Sequence, residues 1–187
     1  MARSIRTVLV AFTFQALLGA TTTDNRPLTV GVSVINRGYA NLEIVHAATD
    51  GARGIFRQAG IEMGFVVVDP LASRVDAPKP AAFHIVLSDQ RSPAKHVLGA
   101  ADITEQTAWV LVRNIRETAQ DTRTDEATVL AHVVAHELGH LLLGSPEHSV
   151  SGVMTDPMDF TLAEQGGLRF HVEQIRRMRQ RLVSPEP

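Results

Sequence analysis

The alternation of apolar and polar residues divides the chain into strand-like and helix-like stretches. Leu28–Ile35 is rich in β-branched residues and bounded by Pro27 and Asn36, which predicts a strand. From Asn41 to Gln58, Leu42, Ile44, Val45, Ala48, Ala52, Ile55 and Phe56 recur at helical spacing, and Gly60 supplies a stop. Ile61–Val68 predicts a second strand ended by Asp69-Pro70, and residues 69–81, with three prolines, a loop. A third strand is expected over Ala82–Leu87 and polar loop over 88–97. Leu98–Ile103 predicts a short edge strand and Ala108–Val112 another, with 114–123 as a polar connection. A long helix is expected from Thr124 to Leu143, with Leu130, Val134, Leu138 and Leu141 on one arc. Residues 144–168 hold Gly144, Pro146, Gly152, Pro157, Gly166 and Gly167 and are read as loop. A last helix runs from His171 to Leu182, with Val172, Ile175, Met178 and Leu182 on one stripe. The order β-α-β-β-(β)-β-α-α predicts an α+β (mixed α/β) fold: one twisted, mixed sheet of four or five strands with helices packed on it.

Composition narrows the class. At 187 residues, 44% hydrophobic and 20% charged, the chain suits one globular domain. A formal net charge of −2 leaves no basic surface for coating nucleic acid, so none is expected as a partner. The absence of cysteine removes a disulfide framework, thiolate zinc ligands and a cysteine nucleophile. The first twenty residues stand apart. Met1–Arg6 carries two arginines, Thr7–Ala20 is uncharged and mostly apolar, and small then polar residues follow. These are the three parts of a secretory signal peptide, and the apolar stretch is shorter than the roughly 20 residues of a membrane span. The expectation is a signal peptide over 1–20 and a folded, secreted domain over 21–187. An uncleaved anchor is the alternative, because Leu18 is a poor residue three before a cut at Ala20. Stable membrane association is expected only in that case.

The long helix contains His136-Glu137-Leu138-Gly139-His140, an HExxH. Residues four apart lie one turn apart on the same helix face, so two imidazoles can bind one zinc ion at roughly 2.0–2.1 Å each. Glu137 projects about 100° further round. It can flank the metal without being a ligand, take a proton from activated water and pass it to a leaving amine. Thr124-Asp125-Glu126 offers an N-cap and an acidic first turn. A catalytic zinc needs a third protein ligand and an open position. After His140 the chain reads LLLGSPEH; Gly144 can end the helix and turn the chain so that His148 arrives as that ligand. Glu147 and the more distant Glu164 are its rivals. His132, one turn before His136, is too far along the axis and is read as a packed polar residue. His46, His84, His96 and His171 carry no spacing signal.

With these residues in place, the chain resembles the metzincin clan of zinc endopeptidases, nearest in style to the matrixin-like ones. The family pattern HExxHxxGxxH is followed by a turn containing methionine. Here His136-Glu137, His140, Gly144 and His148 precede Ser149-Val150-Ser151-Gly152-Val153-Met154-Thr155-Asp156-Pro157. The resemblance implies Met154 beneath the metal, a zincin-like fold over most of 28–182, and an extended peptide or protein substrate paired along the edge strand, about Leu98–Ile103. It also implies a side-chain pocket between the helix end and residues 155–168, and a protein expected to act as a monomer. The spacing departs from the family: Gly144 lies four and His148 eight residues after His140, rather than three and six. The cysteine-based latency of matrixins has no residue to use here. Asp121, Asp125 and Glu126, and the pair Asp156 and Asp159, are candidate calcium ligands without the spacing of an EF-hand.

The leading expectation is a secreted zinc-dependent endopeptidase with Glu137 as general base and His136, His140 and His148 as ligands. Two alternatives stand beside it. One is a zincin of another clan using Glu164. The other is a catalytically silent, secreted binding or toxin-like module, against which the intact Glu137 counts.

Overall fold

The computed structural model describes residues 28–69, 81–94 and 96–184. The expected signal segment and nearly all of the proline-rich loop lie outside the described residues.

The β-branched runs pair into one sheet. Its strands are β1 (Leu28–Asn36), β2 (Ile61–Val68), β3 (Phe83–Ser88), β4 (Gly99–Asp102) and β5 (Thr107–Leu111), in the order β2-β1-β3-β5-β4. β1 pairs in parallel with β2 and β3, and β3 with β5, so that Val32 lies between Phe65 and Phe83. β4 runs antiparallel to β5 and forms an edge. Period-two alternation turns Val30, Val32, Val34, Ile85, Leu87, Ala108 and Val110 into the core. α1 (Leu42–Arg57) makes the crossover that a parallel β1–β2 pair requires. The Asn41 side chain caps it by accepting from Glu43 N–H.

α3 (Glu126–Leu143) is the centre of the molecule. Asp125 caps it by accepting from Thr128 N–H, and Gly144 ends it at φ +60°. It packs against α1, the sheet and every other helix, and all residues from Val129 to Leu143 are buried. The expected arc of Leu130, Val134, Leu138 and Leu141 does face the core, but so does the rest of the helix, because α2, α4 and α5 also close over it.

Two stretches differ from the sequence reading. Residues 114–123 are not a connection: α2 (Val112–Thr122) occupies them, burying Val112, Asn114, Ile115 and Ala119. Its apolar residues are few, and it stops at Arg123 in the left-handed region (φ +57°) rather than at a glycine. The 144–168 segment contains a short helix, α4 (Phe160–Glu164), capped by Asp159. The final helix, α5 (Val172–Val183), follows its expectation, with His171 at the N-cap and Met178 buried. Among the described residues, no helix is long and apolar enough to cross a membrane.

Candidate metal centre

His136 and His140 occupy successive turns of α3, both nearly buried. The Nδ1 of His136 lies 2.9 Å from the Val153 carbonyl oxygen, and that of His140 lies 2.8 Å from the Ser145 carbonyl oxygen. A carbonyl only accepts, so each Nδ1 carries the proton and each Nε2 is left with a lone pair. The two Nε2 atoms face each other at 3.0 Å. Burial, the largest cause in each case, lowers the His136 pKa to about 4 and also lowers that of His140, so both rings are neutral at neutral pH. Two lone pairs cannot hydrogen-bond to one another. Facing acceptors held by backbone carbonyls are instead what a cation requires, and the carbonyls fix the tautomer as in metal-ligating histidines.

His148 joins them from the loop beyond Gly144. Its ring centroid lies 5.1 Å from that of His136 and 5.0 Å from that of His140. One ligand atom from each of the three rings lies within 4.8 Å of the others, the one such group among the described residues. The longer helix end and the longer loop therefore do not keep His148 away. Its exposure sets it apart from the other two: His136 and His140 are buried on α3, and His148 is in solvent. Glu147 and Glu164 are exposed and do not line the cavity beside these histidines. His132 bonds back to the Thr128 carbonyl, 2.9 Å away. Of the acids weighed as calcium ligands, Asp125 and Asp159 serve as helix caps.

The turn after His148 is tied to this site. Ser149 N–H donates to the Met154 carbonyl at 2.8 Å, and Ser149 and Thr155 form an isolated bridge. Val153, which holds His136, belongs to the same turn. Met154 is fully buried, with its sulfur where a Cβ on Gly139 would stand. The glycine between the two histidines therefore lets the methionine pack against α3, through a gap that any side chain would fill.

Glu137 is buried on the adjoining face, and its carboxylate lies against the edge strand. A Cβ on Gly99 would come within 2.6 Å of Glu137 Oε1 and 2.9 Å of the Trp109 carbonyl oxygen. Burial, and next the negative charge of Asp156, push the Glu137 pKa up to about 8. The group thus exchanges a proton close to neutral pH. A cavity of about 430 Å³ opens in front of it, between β4, α2, α3 and the loop holding Thr155 to Phe160. His96, Thr118 and Thr122 also line it and were not singled out from sequence. The threonines lie one turn apart on α2, a spacing that means nothing until that helix is recognised.

Neither a protein-family model nor a curated protein sequence matches the chain. Solved structures do. An archaemetzincin from Methanopyrus kandleri superposes with a TM-score of 0.59 at 12% identity, covering 84% of this chain and 98% of that one. A zinc-dependent peptidase from Methanocorpusculum labreanum gives 0.54 at 13%, covering 79% and 100%. A metalloproteinase-II from Bacteroides fragilis gives 0.54 at 14%, covering 85% and 54%. The chain has the fold of these zinc peptidases. The likeness reaches the metzincin-type architecture and does not single out the matrixin-like branch.

Proposed function

We propose that the chain is a secreted zinc-dependent endopeptidase. The observation that carries this reading is the convergence of three imidazoles beside a buried carboxylate that titrates near neutrality, in a cavity flanked by an exposed sheet edge. His136, His140 and His148 would hold one zinc ion. When bound, zinc would supply Lewis acidity, polarising the scissile carbonyl and making the attacking water more acidic.

The chain's own residues do the rest. Leu98, Gly99, Ala100 and Ala101 run along the cavity, so an extended peptide can add to the free side of β4 by main-chain pairing, and the small residues leave it room. Glu137 Oε1 accepts the proton of the attacking water and returns it to the amine nitrogen as the C–N bond breaks. The slot at Gly99 keeps that carboxylate beside the strand to which the peptide binds. Met154 supports the histidine pair from below.

Glu137→Gln separates metal binding from turnover. The variant should retain one zinc per chain by elemental mass spectrometry and lose at least about a hundredfold in kcat on a peptide library, the scale of general acid–base catalysis. A variant that still cleaves, or a wild-type protein that retains no zinc, would overturn the proposal.

A further inference from the structure

Asp156 is a carboxylate that the scheme above leaves unused. It is exposed and lines the same cavity as Glu137 and the three histidines. Among the described residues it has no hydrogen-bond or ion-pair partner, whereas Asp102, Asp125 and Asp159 all accept backbone N–H groups in turns and caps. Its position is constrained: Thr155, next to it, is bridged to Ser149 and donates its N–H to the Gly152 carbonyl at 3.3 Å. Among the described residues no lysine or arginine lines the cavity, and most of the remaining wall is apolar, including Leu98, Ile103, Val133 and Phe160. A carboxylate without a hydrogen-bond or ion-pair partner among the described residues, in a cavity they line with no lysine or arginine, is open to a counter-charge brought by what enters.

We propose that Asp156 selects the substrate, binding a cationic group (an ammonium or guanidinium) carried by the peptide close to the bond that is cut. This rests on the peptidase reading above. A charge-assisted hydrogen bond to an exposed carboxylate corresponds to about fivefold in selectivity.

The test uses blocked alanine–leucine hexapeptides with lysine or its uncharged counterpart norleucine at each position in turn. A further pair has a free or an acetylated N-terminus. For the zinc-loaded wild type and Asp156→Asn, the ratio of kcat/KM within each pair is measured. The Kd ratio is measured by calorimetry on zinc-loaded Glu137→Gln protein, with and without Asp156→Asn. The expected result is a preference of about fivefold for the cationic peptide at one position. It should weaken with added salt, fall to near one in Asp156→Asn and return in part with Asp156→Glu. A preference confined to the free N-terminus and lost in Asp156→Asn supports the same recognition, with the chain terminus as its source. Equal ratios in wild type and Asp156→Asn overturn the proposal. Lowered zinc content with unchanged ratios also overturns it, by assigning the carboxylate to the metal site. Binding preference without cleavage defeats the peptidase reading and leaves the recognition standing; cleavage without preference does the reverse. Neither cleavage nor binding defeats both.

Discussion

Glu137 takes up a proton more readily in the folded protein than an ordinary glutamate does, and this links folding to pH. In the metal-free protein its pKa rises from 4.5 to about 8, so its contribution to stability is full below pH 4.5 and is lost as pH rises through 8. His136 has the opposite sign. Lowered from 6.5 to about 4, it contributes stability that is present above pH 6.5 and lost as pH falls through 4. His132 and His140 are lowered as well and contribute in the same direction as His136. Among these groups, only Glu137 acts above about pH 7.5, where unfolded histidines are already neutral. Metal-free protein should therefore melt at a lower temperature at about pH 9 than at about pH 7.5, and Glu137→Gln should flatten that slope. Scanning calorimetry of the two proteins checks this; an equal slope in both would place the titration elsewhere. At this scale the sequence shows the residues whose roles follow from spacing along the chain. His136, Glu137 and His140 are visible as a helical constellation, and His148 as the next imidazole past a glycine stop. Gly99, His96 and Asp156 are not, because each reaches the cavity only after distant segments have packed.

α2 shows how an element can be hidden by its own polarity. Val112, Ile115 and Ala119 lie on one face, yet arginine, glutamate, glutamine and aspartate fill the rest, and no glycine marks the end. Its function in the fold depends on Asn114, whose buried Nδ2 lies 2.9 Å from the Val97 carbonyl oxygen and 3.4 Å from those of Ser92 and Ala94. Two amide protons are thus shared among three carbonyls of the segment that delivers His96, Val97 and Leu98 to the cavity. Asn114→Ala would leave carbonyls unpaired and should lower stability by about 1–3 kcal/mol. Hydrogen exchange should show the greatest loss of protection over 92–98 and little change in β1 to β3. Uniform loss across the sheet would mean that Asn114 supports the core rather than the segment. The strands, by contrast, were legible to within a residue or two, because β-branched runs bounded by turn residues need no tertiary information. α3 was legible as a helix but not as an enclosed one: its apolar arc is real, and the cover on its other faces comes from α2, α4 and α5.

Across the whole molecule, the element order sufficed to predict a mixed sheet with helices packed on it, and the same architecture recurs in solved structures sharing only 12–14% of residues with this chain. Identity that low with a common fold means that patterning, more than particular residues, carries the architecture. The enclosure of α3 also bears on how quickly a bound ion can leave. Two of the proposed ligands are fixed to a fully packed helix, while the third hangs on a solvent-facing loop, so the path of escape would begin with that loop and need no disruption of the core. Release of zinc to excess chelator should then proceed at a rate nearly independent of urea below the unfolding transition. A rate that climbs steeply with urea would mean that the ion waits for global unfolding. The lifetime of the loaded state would thus be set by the opening and closing of a few residues around His148, and a partner or peptide resting on that loop would act as a clasp on the metal.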